Sequence, residues 1–279
     1  MAWLFGITDT EPDLFVSKEI ADRADADFDF PTRLILDELG IEYEDPHANE
    51  LDSIIERFGY EFLTTREFSD CARLTFPSVS ARDALMAWVD HEYAMFRRLE
   101  VRIMGPQLLG GWTAEDGSAD VDAFLSYSLS VQNRRKSRMG KALEHPLEAV
   151  FDTWEICCDK QVKTETGKTA DFIFPGEQQY FDKLFPVRLL TMLAAKSSCK
   201  ERWSQILSEA NRIEHKHLVT LEPGISVDGT DSMREARVQL VVPTRIQKSY
   251  KPEQQNWLMS VREFVDMVLQ CQTAGGIHF

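Results

Sequence analysis

The run PVRLLTMLAAK, residues 186–196, constrains this chain more than any other stretch. Between Leu189 and Ala195 its only polar residue is Thr191, the pattern of a strand covered on both faces rather than of a half-solvated one. Helix-period stripes stand on either side of it: Leu143, Leu147, Val150 and Phe151 before, and Trp203, Ile206, Leu207, Ala210 and Ile213 after. Ser197 or Ser198 is placed to cap the second of these helices. TADFIFPG reads as a short strand closed by a Pro-Gly turn, and HLVTLEPGI and RVQLVVPT as two more. A terminal amphipathic helix holds Trp257, Leu258, Val261, Phe264, Val265 and Val268. Alternating strands and helices predict an α/β fold with a mixed central sheet flanked by helices.

The front of the chain reads differently. LDSIIERFGYEF has a helical pattern, and a longer helix begins near Ser80, with Leu85, Trp88, Val89, Phe96 and Leu99 at helical spacing. The Gly-, Asp- and Ser-dense stretch at residues 105–122 is the natural boundary. Two regions are therefore expected: a mostly helical, acidic one over 1–120 and a sheet-containing domain over 121–279. Pro146 either bends the helix that leads from the basic stretch to Trp154 or marks its true start.

No apolar stretch approaches the ~20 residues that span a bilayer, and no basic segment opens the chain. A cytoplasmic protein is expected. Five cysteines without a CxxC pair, at positions 71, 157, 158, 199 and 271, suggest neither a disulfide framework nor a zinc knuckle.

A formal net charge of −15 argues against a nucleic-acid partner until its distribution is considered. Residues 1–60 hold 16 Asp and Glu against 4 Lys and Arg, whereas residues 131–217 hold 15 Lys and Arg against 12 Asp and Glu. The basic run QNRRKSRMGK lies in that second region. Charge patterning alone makes such a run a solvated helix face.

A strand bearing Asp171 followed by a strand ending in Lys196 is the layout of the PD-(D/E)xK nucleases, in which two carboxylates hold Mg²⁺ and a lysine attends the attacking water. The generic motif is incomplete, because Ala194 stands where the second acid belongs and Ala170 replaces the proline before the aspartate. Glu209, thirteen residues after Lys196, is expected to supply the missing carboxylate from a helix folding back along the sheet. Mg²⁺ accepts one or two carboxylates with waters and phosphate oxygens, so Asp171 and Glu209 suffice. The bland alternative is a strand-edge aspartate, a helix-surface glutamate and a strand-terminal lysine.

With Asp171 upstream, the Lys196–Glu209 spacing and the segment NRRKSRMGKALE on a preceding helix, the chain resembles the EcoRII/CCGG group of type II restriction endonucleases. The likeness to EcoRII-type catalytic domains runs from about Phe124 to the C-terminus. It includes the lysine segment KSSCKERW, RIEHKHLVTLEPGIS and WLMSVREFVDMV, and a tyrosine, Tyr180, nine residues after Asp171. The resemblance implies that Asp171, Lys196 and Glu209 form the catalytic and metal set. Glu144 matches an additional acid and Tyr180 a family tyrosine near the site.

It further implies that Lys200, Glu201 and Arg202 read bases, which their chemistry suits: Arg or Lys bonds guanine O6 and N7, and Glu accepts from cytosine N4. An ordinary charged first helical turn is the competing reading. Gln132 and Asn133 occupy a base-contacting segment of the family, and Arg134, Arg135 and Arg138 are candidate DNA backbone contacts. His215, His217 and His145 are expected to be structural.

The expected protein is a Mg²⁺-dependent endonuclease that cuts double-stranded DNA at a pseudo-palindromic CC/GG core of CCNGG, CCWGG or CCGG type, with a flanking pair as in TCCNGGA possible, leaving 5′-phosphates. A two-fold site calls for a homodimer, and restriction implies a cognate DNA methyltransferase. The acidic front region is expected to read flanking pairs or restrain the dimer. Another nuclease of the same core, for repair or methylated DNA, and a DNA-binding module that does not cut are the competing readings.

Overall fold

A computed structural model describes residues 36, 48–76, 84–114, 116–165, 167–197, 199 and 203–277. The chain divides into two compact units, Met1–Gly59 and Tyr60–Phe279. In the first, α1 (Ala48–Ile55) continues into a 3-10 turn, Glu56–Phe58. Gly59 closes that turn in the left-handed region at φ 64, where a side chain would be strained.

The second unit is built on one five-stranded sheet in the order β1 (Asp159–Lys163), β2 (Thr169–Phe174), β3 (Thr191–Lys196), β4 (Lys216–Thr220) and β5 (Val238–Val241). The pairs β1/β2 and β2/β3 are antiparallel; β3/β4 and β4/β5 are parallel. The sheet is therefore mixed, as expected, and the buried run of β3 lies at its centre. Helices α2 (Thr65–Thr75), α3 (Ala84–Gly110), α4 (Val121–Lys141), α5 (Glu144–Thr153), α6 (Glu177–Phe181), α7 (Val227–Glu235) and α8 (Val261–Ala274) flank it. Side chains alternate along β2, so Phe172 and Phe174 share one face. There they pack with Phe151 of α5 and Phe264 of α8 at centroid distances of 5.2–5.6 Å. Asp171 belongs to the other parity. α8 starts at a capping box, Ser260 with Glu263, so Trp257 and Leu258 precede the helix.

Two local expectations are corrected, one of the two readings of Pro146 holds, and β1 is a strand that the sequence did not announce. The basic stretch and LEHPLEAVFDTW form two helices, and Pro146 lies in the first turn of the second, where its missing N–H costs little. The segment 105–122 is no linker: α3 runs through it to Gly110, and a turn closed by the Thr113–Ala119 bridge leads into α4, capped by Asp120. β1, DKQVK, has one buried residue and so carries no apolar alternation to be read.

The second correction concerns the stretch after Lys196. Among its described residues it holds a 3-10 helix, Trp203–Ser208, in place of the expected α-helix, with Leu207 exposed and Ala210 left-handed at φ 46. The buried Lys216 ammonium takes the carbonyls of Glu209, Ala210 and Ile213, acceptors that a continuing helix would need for its own N–H groups.

Candidate active site

β2 and β3 pair from Phe174↔Thr191 to Phe172↔Leu193 and then part. Where the ladder ends, the Asp171 carboxylate replaces it: Oδ2 accepts the Ala195 backbone N–H at 2.8 Å and Lys196 Nζ at 2.7 Å. Lys196 is the last residue of β3, held in parallel register opposite Thr220. Strand pairing thus positions both groups at one point of the sheet.

Glu209 arrives from a turn rather than a helix. Besides the Lys216 clamp, the Ala210 N–H reaches Thr164 Oγ1 at 3.4 Å and Lys168 Nζ donates to Ser208 Oγ, tying the turn to the β1–β2 hairpin. Glu209 Oε2 is buried and has no hydrogen-bond partner among the described residues. Burial pushes its carboxyl up to about 6, with Lys196 pulling it down and Asp171 pushing it up. The Lys196 and Asp171 charges thus both reach the Glu209 carboxyl.

Glu144, at the first position of α5, completes the acidic lining. Its carboxyl is raised by burial and by the Asp171 charge. Gln161, which sequence reasoning missed, donates from Nε2 to Glu144 Oε2 at 3.2 Å and to Asp171 Oδ1 at 3.4 Å. Its strand carries no hydrophobic signal, so nothing in the sequence marked it. The buried Lys216, also missed, looks in the sequence like any charge at a strand start. A cavity of about 430 Å³ opens over Asp171, Glu144 and Gln161, with Arg66, Lys141 and Lys160 among its lining residues.

Tyr180 borders the loop that follows Glu209. Its hydroxyl donates to Glu165 Oε2 at 2.6 Å and accepts the Arg212 N–H at 3.4 Å, and burial raises it well above the usual phenol range. It braces α6 against the loop after Glu209 through Glu165 and Arg212. His217 is buried against the Phe264 ring, and burial lowers it to about 4, as suits a neutral structural imidazole. His145 Nδ1 lies 3.9 Å from Glu148 Oε2. Among the described residues no group of three or more His, Cys, Asp and Glu side chains forms a ready metal cluster. Two carboxylates, one with an unpartnered buried oxygen, still fit a hard cation that draws its other ligands from water and substrate.

On α4, Gln132 and Asn133 are exposed. Arg134 stacks over Phe62, 4.0 Å from the ring centroid, and Arg135 makes a two-pronged pair with the buried Glu100 of α3 at 2.7 and 2.8 Å. Arg138 is a correction. It is buried between the rings of Phe68 and Phe96, 3.7 Å from Glu92, and burial lowers it to about 10, so its guanidinium is not presented to a DNA backbone. Lys200, Glu201 and Arg202, together with the capping candidate Ser198, lie outside the described residues.

A sequence profile described as EcoRII C terminal matches residues 96–265. The chain belongs to the EcoRII C-terminal family. It is 44% identical over 150 residues to the type II restriction enzyme EcoRII of Escherichia coli, a match covering 53% of this chain and 37% of that protein. It is 29% identical over 156 residues to the type II restriction enzyme SsoII of Shigella sonnei, covering 52% and 50% respectively. The matches thus span half or less of these relatives' lengths.

Metal-depleted Ecl18kI in complex with uncleaved, modified DNA superimposes with a TM-score of 0.59 at 22% identity, covering 82% of this chain and 85% of that one. The PspGI–substrate DNA complex gives 0.56 at 15% identity, covering 83% and 96%. These likenesses show that the family member has the restriction-endonuclease fold. No helix among the described residues is long and apolar enough to cross a membrane.

Proposed function

We propose that this chain is a Mg²⁺-dependent type II restriction endonuclease, hydrolysing double-stranded DNA at a pseudo-palindromic CC/GG core of CCNGG, CCWGG or CCGG type and leaving 5′-phosphates. The observation that carries this reading is the buried, unpartnered Glu209 oxygen beside the Asp171–Lys196 pair, in a chain of this family. Asp171 and Glu209 would hold the cation, which when bound supplies positive charge to the scissile phosphate. Lys196, donating to Asp171, orients that carboxylate and stands ready to donate to or position the water that attacks. Glu144 adds negative charge that favours cation binding. Tyr180 supports the loop architecture and takes no chemical step.

Recognition is assigned to Lys200, Glu201 and Arg202, which follow β3 directly and so are coupled in sequence to Lys196, with Gln132 and Asn133 exposed on α4 as further base contacts. Arg134 and Arg135 are the backbone contacts that remain once Arg138 is set aside. Two scissile phosphates in a two-fold site imply a homodimer, and a self-toxic cutter implies a cognate methyltransferase in the same cytoplasm. Residues 121–279 carry the chemistry, and the acidic front of the chain reads flanking pairs or restrains the dimer.

Plasmid cleavage tests this. With Mg²⁺, discrete fragments whose sequenced ends share a CC/GG core and carry 5′-phosphates are expected. A smear would favour a non-specific nuclease, and a mobility shift without cutting a binding module. Arg202→Ala should lose about 1–3 kcal/mol of discrimination between cognate and single-mismatch sites.

A further inference from the structure

The pairs Lys160↔Phe172 and Val162↔Ala170 place Gln161 directly across from Asp171 on the neighbouring strand. Its backbone lies in the left-handed region at φ 51, which costs a residue with a Cβ. Within a strand such a conformation persists only where the pairs on either side impose it. Here it accompanies a side chain that lies between two carboxylates, with Nε2 within 3.2 Å of Glu144 and 3.4 Å of Asp171. All three residues line the same cavity.

The chemistry of the amide suits that place. Asp171 and Glu144 repel each other, and the Asp171 charge contributes to raising the Glu144 carboxyl. A carboxamide nitrogen offers two N–H donors, one for each neighbour, without adding charge. It can fix the orientation of both carboxylates and leave their negative charge available to a divalent ion. A lysine there would neutralise them and take the ion's place, and an aliphatic side chain would leave them to splay apart.

We propose that Gln161 is a positioning residue that holds the Glu144 and Asp171 carboxylates ready for a divalent cation, and that its left-handed backbone is stability given up for this reach. The inference rests on the nuclease reading above.

The full chain carrying Q161N or Q161G tests it. Asparagine and glycine both tolerate a left-handed backbone, but the asparagine amide is one methylene shorter and glycine has none. Both variants are expected to unfold at or above the wild-type midpoint, and Q161G above it. Both should bind Mn²⁺ about 10-fold more weakly in direct calorimetric titration without DNA. The Mg²⁺ concentration for half-maximal cleavage should rise in step, while the rate at saturating Mg²⁺ stays within a few-fold of wild type.

Wild-type Mn²⁺ affinity in Q161N overturns the proposal, as does a lowered midpoint with unchanged affinity, which is the signature of a purely structural residue. Should Q161G fail to fold, the Q161N titration decides alone. Asp171→Asn separates this inference from its foundation: a wild type that cuts no DNA defeats the nuclease reading, a D171N that cuts like wild type defeats the placement of the active site at Asp171, and an inactive D171N beside a Q161N of normal affinity defeats only the role of Gln161.

Discussion

Lys196 Nζ and Asp171 Oδ2 lie 2.7 Å apart across the point where β2 and β3 part, and the Ala195 N–H meets the same oxygen at 2.8 Å. The two side chains are joined by the sheet itself, since each is fixed by its own strand's pairing. Lys196→Ala removes one donor and leaves the backbone donor in place. The protein should fold with little change in midpoint, retain DNA binding, and lose about 10²–10⁴-fold in single-turnover cleavage, a range typical of positioned proton-transfer groups. Parallel binding and cleavage titrations check the split.

Acid should remove activity through Glu209. Its carboxyl, raised chiefly by burial to about 6, must be ionised to hold a cation, so Mg²⁺ affinity and cleavage should fall as the pH drops through about 6. Stability of the metal-free protein runs the other way. Between the ordinary glutamate value and about 6 the folded state holds the proton more tightly than the unfolded state, so stability declines as pH rises through that window, by about 2 kcal/mol from this group. Glu209→Gln should abolish that part of the slope in unfolding curves recorded from pH 4 to 7.

The buried Lys216 ammonium donates to three backbone carbonyls of the Glu209 turn. Replacing it with methionine leaves those acceptors dry. A loss on the order of 3 kcal/mol in chemical denaturation is expected, with protection of the turn amides from hydrogen exchange falling more than that of the sheet.

Arg138 and Arg135 should separate. Arg138→Met strands Glu92 without its buried cation and should destabilise by about 3 kcal/mol, with the salt dependence of DNA binding unchanged. Arg135→Ala, on the half-exposed side of the helix, should lower the slope of log affinity against log salt by about 1 if that guanidinium leaves Glu100 for a phosphate.

These residues also show what the sequence made legible. The buried strand ending at Lys196, Asp171 on its neighbour and the mixed sheet were all readable, because continuous apolar runs and turn residues report strands directly. The turn carrying Glu209 was not. Its apolar spacing fits a helix, and only the buried Lys216, reaching back from the next strand, takes the carbonyls that a helix would use. Tertiary contact outweighed local propensity there.

Gln161 escaped notice for a related reason: its importance lies in a left-handed backbone and a cross-strand neighbour, neither of which leaves a trace in a polar strand. Arg138 was misread because charge patterning cannot distinguish an arginine facing solvent from one stacked between Phe68 and Phe96.

Asp171 and Glu209 must face one ion for this chain to cut DNA as proposed. Crystals of the protein soaked with Mn²⁺, measured at the manganese absorption edge, test this most directly. An anomalous peak within coordination distance of both carboxylates is predicted, lost in Glu209→Gln. A peak that ignores either carboxylate, or none at a concentration supporting cleavage, would contradict it.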